Sequence, residues 1–133
     1  MSAVIDSSVA ASWGIPDENS PAALRALTLV ANGEMIVPTL FWHELKNVFL
    51  MNQKRNRLTI VETDRAIKLV KAINPLVADD PDHSAILDLA RRRSLTAYDA
   101  AYLELALRLS LPLATLDAKL AAATIAEGVD LIS

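Results

Sequence analysis

The chain has 133 residues, a formal net charge of −3 and no cysteine. A chain of this length can bury a sizeable core without disulfide support, so we expect one domain spanning residues 1–133. The lack of cysteine excludes disulfide frameworks, cysteine-ligated zinc and thiol nucleophiles. The slight negative charge argues against a protein that holds nucleic acid by basic surface alone. It is compatible with a site in which carboxylates hold a metal ion.

Neither a secretory signal nor a membrane anchor is predicted. The first residues contain no basic segment, and their apolar run is interrupted by Asp6, Ser7 and Ser8. No stretch approaches the roughly 20 apolar residues that a membrane-spanning helix needs. We therefore expect a soluble cytoplasmic protein.

Short apolar runs alternate with longer helical patterns along the chain. Helix starts are marked by capping residues, such as Ser20 before Pro21, and Thr59 followed three residues later by Glu62 in a capping box. The predicted strands are Ala3–Ile5, Met35–Val37, a brief one at Leu76 and Val77, Leu113–Leu116 and Val129–Ile132. The predicted helices are Pro21–Ala31, Leu40–Arg55, Thr59–Ile73, Pro81–Arg93 and Thr96–Leu109, with a last helix opened by Asp117.

This alternation predicts an α/β fold in which parallel strands are joined by crossover helices. We expect a central parallel sheet of about four to five short strands with helices on both sides. In such sheets, ligands bind at the carboxyl ends of the strands. Asp6 and Asp117 each lie just past a predicted strand, so both carboxylates are expected at that edge.

Four acidic residues are candidates for one metal site: Asp6, Glu44, Asp99 and Asp117. Glu44 borders the apolar face of its predicted helix, where a carboxylate is costly unless it is paired or bound to metal. Asp99 has capping-box spacing from Thr96, and Asp6 and Asp117 can each act as helix N-caps. A purely structural capping role therefore stays open for each of them. Considered together, the four acids supply the oxygen ligands that Mg²⁺ prefers.

Other common catalytic motifs are missing. Gly14, Gly33 and Gly128 are too scattered for a phosphate-binding loop. His43 and Glu44 resemble the start of a zinc protease motif, but Asn47 occupies the position of the second histidine. No G-x-S-x-G segment is present, which argues against a hydrolase serine.

Two basic patches lie near predicted helix ends. They comprise Lys54, Arg55 and Arg57 in the first and Arg91, Arg92 and Arg93 in the second. Cations at helix C-termini are favourable without any ligand, and we slightly prefer that interpretation. The alternative is that Arg55, Arg57, Arg91, Arg92 and Arg93 contact RNA phosphates beside the acidic site. The aromatic residues are assigned to the core or an interface and not to base stacking; they are Trp13, Phe41, Trp42, Phe49, Tyr98 and Tyr102.

Three segments, taken in order, resemble the motifs of PIN-domain proteins of the VapC toxin group: VIDSSVAASW, PTLFWHELKNVF and SLTAYDAAYLELALRLSLPLATLDAKL. The resemblance implies a PIN-like fold and a metal-dependent ribonuclease that uses Mg²⁺ or Mn²⁺. It implies that Asp6, Glu44, Asp99 and Asp117 are the catalytic and metal-binding acids, with Ser8 and Thr115 in support. It also implies a homodimer and a cognate antitoxin that silences the toxin of a toxin–antitoxin pair.

Two alternatives stay open on the sequence. The chain could be a PIN nuclease that acts outside a toxin–antitoxin system, in RNA processing or on DNA. It could instead be a non-catalytic interaction domain that dimerises through its apolar helices, with the Leu40–Met51 helix as the expected dimer face. Under the second alternative, the four acids only cap helices and metal does not change the stability of the fold.

Overall fold

The computed structural model describes all residues from Met1 to Ser133 and contains four strands and seven helices. The strands are β1 (Ser2–Ile5), β2 (Glu34–Pro38), β3 (Leu76–Ala78) and β4 (Leu113–Ala114). The helices are α1 (Ser7–Ser12), α2 (Pro21–Ala31), α3 (Phe41–Lys54), α4 (Ile60–Ile73), α5 (His83–Arg93), α6 (Ala97–Leu109) and α7 (Ala118–Ala126). None of the helices combines the length and apolar character that a bilayer crossing requires.

The strands form one parallel sheet in the order β3-β2-β1-β4. Strand β1 pairs with β2 on one side, with Val4 opposite Ile36, and with β4 on the other, with Ile5 opposite Ala114. Because β1 is central, Ala3, Val4 and Ile5 are all fully buried, as is usual for a parallel strand covered on both faces. The predicted α/β fold with a parallel sheet and flanking helices is confirmed.

Local signals account for most helix starts. Ser20 accepts a hydrogen bond from the Ala23 N–H at the start of α2. The predicted capping box is present at the start of α4, where Thr59 and Glu62 exchange side-chain-to-backbone hydrogen bonds of 2.9 and 3.1 Å. Each bond satisfies an N–H group that the first turn of a helix leaves without a partner.

Two predicted strands are shorter in the structure, and one helix was not among the predicted elements. The segment Val129–Ile132 contributes only a single parallel bridge between Leu131 and Leu113. Strand β4 ends at Ala114 and not at Leu116, because its partner β1 ends at Ile5, opposite Ala114. The additional helix is α1, which spans only six residues and begins directly after Asp6.

The buried apolar side chains form one continuous cluster around the sheet. Phe41, Leu45 and Phe49 on α3 and Leu103 and Leu105 on α6 are almost completely buried in it. Of the aromatic residues assigned to the core or an interface, only Tyr98 has a mostly exposed side chain. The core fixes α3 against α1 and α6 against the sheet, and these two helices carry Glu44 and Asp99.

Candidate active site

The carboxyl ends of β1 and β4 bring Asp6 and Asp117 to the same edge of the sheet. Asp6 directly follows β1, and its N–H continues the parallel ladder by donating to the Ala114 carbonyl at 3.1 Å. Asp117 follows β4 by three residues and caps α7 by accepting from the Leu120 N–H at 2.9 Å. The expected position of both acids at this edge agrees with the observed topology.

Asp6 is a buried carboxylate, with only 4% of its surface exposed. Its Oδ1 accepts hydrogen bonds from the Ser8 hydroxyl at 2.6 Å and from the Val9 N–H at 3.0 Å, and its Oδ2 accepts one from the Thr115 hydroxyl. Burial raises the pKa of Asp6 from 3.8 to about 6, the hydrogen bonds oppose that rise, and repulsion from Asp99 adds to it. The fold therefore holds Asp6 in one orientation at an electrostatic cost.

Ser8 and Thr115 each connect Asp6 to the segment between β4 and α7. The Ser8 hydroxyl also accepts the Leu116 N–H at 3.0 Å, and the Thr115 hydroxyl also accepts the Asp117 N–H at 3.0 Å. Each hydroxyl thus donates to Asp6 and accepts a backbone N–H of the segment between β4 and α7. The two residues expected to support the site are in direct contact with its most buried acid.

Asp99 interacts electrostatically with each of the other three acids. It lies in the first turn of α6, where its N–H donates to the Thr96 hydroxyl at 3.1 Å. Burial and repulsion from Asp117 and Glu44 raise the pKa of Asp99, and Asp99 in turn raises that of Asp6. None of the four acids forms an ion pair with a basic side chain. The site is therefore an acidic cluster without a basic side chain to neutralise it.

Glu44 is held by two hydroxyl groups that sequence reasoning did not identify as site residues. Its Oε1 accepts hydrogen bonds from the Tyr102 hydroxyl at 2.8 Å and from the Ser7 hydroxyl at 3.2 Å. Burial and the adjacent carboxylates raise the pKa of Tyr102 above its usual value, so the phenol remains a proton-bearing donor. Tyr102 lies 58 positions from Glu44 in the chain. No short-range sequence signal could have predicted this contact.

The donor atoms at this edge fit a hard divalent cation in their chemistry. Carboxylates and hydroxyls supply oxygen ligands only, which are the ligands that Mg²⁺ and Mn²⁺ prefer. The unneutralised repulsion among the acids would be relieved by a bound cation. As placed, no three acidic or histidine side chains converge closely enough to hold an ion by themselves. The residues therefore fit a metal by donor type, and binding would need adjustment of side-chain rotamers or water ligands.

The arginines considered for RNA binding are largely engaged within the protein. Arg57 pairs with Asp17 at 3.1 Å and Glu18 at 3.4 Å. Arg92 and Arg93 both pair with Glu127 at 2.7 Å, and Arg92 also contacts Asp88. Arg55 and Arg91 are exposed and form no ion pair. Contact of these arginines with RNA phosphates stays a prediction, and the unpaired Arg55 and Arg91 are better placed for it.

Solved structures with the same fold include proteins from three different organisms. The chain is similar to PAE2754 from Pyrobaculum aerophilum, with a TM-score of 0.74, 23% identity, and coverage of 99% of this chain and 90% of that one. It is similar to FitAcB from Neisseria gonorrhoeae, with a TM-score of 0.66, 17% identity, and coverage of 100% and 97%. It is also similar to VapBC2 from Rickettsia felis bound to a DNA fragment from their promoter, with a TM-score of 0.66, 11% identity, and coverage of 98% and 97%.

Sequence comparison adds a family assignment. No curated protein matches the chain. Residues 3–126 match the PIN domain, and this range includes all four candidate acids together with Ser8 and Thr115. The chain belongs to the PIN domain family.

Proposed function

We propose that this protein is a metal-dependent endoribonuclease and the toxin component of a type II toxin–antitoxin pair. The observation that supports the proposal most is the clustering of Asp6, Glu44, Asp99 and Asp117. These acids come from four separate segments, interact electrostatically and have no basic partner. An arrangement that raises the pKa of a buried acid costs stability, and such a cost is typical of functional sites.

A bound Mg²⁺ or Mn²⁺ ion would supply charge stabilisation on the phosphate and would acidify an attacking water. Asp6, Asp99 and Asp117 are the residues proposed to hold the cation. Asp6 is already fixed by three hydrogen bonds. It would therefore define where the cation binds, and Asp99 and Asp117 would complete the ligand set there. The phosphodiester of the RNA substrate would bind along this edge of the sheet.

Glu44 has one carboxylate oxygen engaged by the protein and one without a hydrogen-bond partner. Both Ser7 and Tyr102 donate to Oε1. Oε2 has no hydrogen-bond partner. Since every buried side-chain oxygen in the structure has a partner, Oε2 must be accessible to solvent. Glu44 is therefore proposed to accept a proton from, or orient, the attacking water through Oε2, while Oε1 anchors the side chain.

The toxin role and its partners rest on the resemblance of the sequence to the VapC group. One of the similar structures is named VapBC2. Exposed apolar side chains on α3 and α4 are suited to contacts with a second copy of the chain or with an antitoxin; they are Leu50, Met51, Ile60 and Val61. We propose a homodimer that an antitoxin silences.

The test is cleavage of a mixed pool of structured RNAs by the purified protein with Mg²⁺, with Mn²⁺ or with EDTA. Wild-type protein should cut RNA only with metal, and Asp99→Asn should lower the rate at least about 100-fold. Asp82→Asn is the matched control, because Asp82 caps α5 at an exposed position. Metal-dependent cleavage that Asp99→Asn leaves unchanged would contradict the site assignment.

The same preparation distinguishes the nuclease from an interaction domain. A cation that binds only the folded state must raise the melting temperature. If the protein cuts no RNA and Mn²⁺ does not change its melting temperature, the acids act only as helix caps. The non-catalytic dimerising domain would then be the better interpretation.

A further inference from the structure

The side chain of Glu44, on α3, is held by hydroxyl groups from two other helices, α1 and α6. None of the other three acids is held in this way. Ser7 is the first residue of α1 and directly follows Asp6. Tyr102 lies on α6, three residues after Asp99, and side chains at this spacing lie on the same side of a helix. The two hydroxyls therefore connect Glu44 to the elements that carry Asp6 and Asp99.

The backbone of α3 alone does not fix the carboxylate of Glu44. Phe41 and Leu45, its neighbours on α3, are completely buried and hold the helix in place. The Glu44 side chain is only partly buried, and a glutamate loses considerable rotamer freedom when it is confined. Hydrogen bonds from Tyr102 at 2.8 Å and Ser7 at 3.2 Å supply that confinement at Oε1.

On the basis of the function proposed above, we infer that Tyr102, assisted by Ser7, is a positioning residue that aims Oε2 of Glu44 at the metal and water site. Tyr102 does not contact the substrate and acts through Glu44. Hydrogen bonds to carboxylates that bind metal are known to orient them and tune their affinity. The buried ring of Tyr102, 1% exposed, fills the core, and its hydroxyl performs the positioning.

A purely structural role for Tyr102 is the competing interpretation. Buried tyrosines usually find a hydrogen-bond partner, and Glu44 could serve only that purpose. The two interpretations differ in what loss of the hydroxyl changes. A structural hydroxyl affects stability alone, whereas a positioning hydroxyl affects metal affinity and kcat through Glu44.

The experiment compares Tyr102→Phe, Ser7→Ala and Tyr98→Phe with the wild type. Tyr98→Phe is the matched control, because Tyr98 lies on the same helix, is 62% exposed and forms no side-chain hydrogen bond. Mn²⁺ affinity is measured by titration calorimetry, and kcat and KM are measured with a fluorescent RNA. Tyr102→Phe should weaken Mn²⁺ binding or lower kcat by roughly 10- to 100-fold, with the KM for RNA unchanged. Ser7→Ala should act in the same direction, and Tyr98→Phe should match the wild type.

A double-mutant cycle with Glu44→Ala tests whether Tyr102 acts through Glu44. Once Glu44 is removed, adding Tyr102→Phe should change neither Mn²⁺ affinity nor kcat further. Wild-type behaviour of Tyr102→Phe, or an equal loss with and without Glu44, would overturn the inference. If the wild type binds Mn²⁺ but cuts no RNA, the proposed function fails. The role of Tyr102 is then decided by comparing the Mn²⁺ affinity of Tyr102→Phe with that of the wild type. If the wild type binds no Mn²⁺, both the proposed function and the inference about Tyr102 are overturned.

Discussion

Replacing Asp6 with asparagine should stabilise the protein when no divalent metal is present. Burial raises the pKa of Asp6 from 3.8 to about 6, and each unit corresponds to about 1.4 kcal/mol. Ionised Asp6 therefore lowers the free energy of unfolding by about 3 kcal/mol at pH 8. Asparagine has the same size and caps helices equally well, so the hydrogen bond to the Val9 N–H is retained.

The full gain is not expected, because asparagine presents an amide nitrogen in place of one carboxylate oxygen. The Thr115 hydroxyl, which donates to Oδ2 of Asp6, then loses its acceptor. An unmade hydrogen bond of this kind costs about 1–2 kcal/mol. The free energy of unfolding should therefore rise by about 1–2 kcal/mol at pH 8 in EDTA, which is a few degrees in melting temperature.

The pH dependence gives a second check on this reasoning. Because the folded-state pKa of Asp6 lies above the unfolded-state value, its destabilising effect is complete above about pH 6 and disappears as the pH falls toward 4. Urea unfolding at pH 8, 7, 6 and 5 should show the advantage of Asp6→Asn shrinking with pH. Asp82→Asn, at the exposed cap of α5, should show no such trend. An Asp6→Asn protein that is less stable than wild type at pH 8, or a difference independent of pH, would refute the argument.

Two further predictions concern residues away from the site. Glu127→Gln should lower the free energy of unfolding by about 1 kcal/mol at pH 7, because hydrogen bonds from Arg92 and Arg93 lower the pKa of Glu127 to about 2. The effect stays small because solvent around both arginines screens the ion pairs. This stabilisation is present above pH 4.5 and is lost as the pH falls toward 2, so urea unfolding curves of variant and wild type should converge there. Gly14→Ala should lower the free energy of unfolding by about 1–3 kcal/mol, since the new Cβ would lie 2.3 Å from that of Ala66. Adding Ala66→Gly should restore part of the loss in thermal melts, and a Gly14→Ala protein of wild-type stability would contradict the close packing.

The features that were predictable from the sequence depend on neighbouring residues. The apolar run before Asp6 indicated a short strand of a parallel sheet, and the spacing of Thr59 and Glu62 indicated a capping box. Parallel topology then placed the residues that follow β1 and β4 at one edge. The position of Asp6 and Asp117 could therefore be predicted without a tertiary structure.

The features that were missed depend on contacts between distant segments. Helix α1 has six residues, too few for a clear periodic pattern, and it begins where the Asp6 carboxylate caps it. The segment Val129–Ile132 has the composition of a strand, but its neighbour β4 is only two residues long and can pair with little more than Leu131. The contact between Tyr102 and Glu44 depends on how α3 and α6 pack, and local propensity does not encode that packing.

The hydrogen bonds from Thr115 to Asp6 and from Leu116 to Ser8 span 109 and 108 positions of the chain. These contacts form only after Thr115 and Leu116 have been synthesised. During translation, a ribosome-bound chain that lacks the segment from Leu113 to Asp117 cannot hold Asp6 in its final orientation. If the protein is the nuclease proposed above, its site would stay incomplete beside the messenger RNA that encodes it until the segment from Leu113 to Asp117 has emerged.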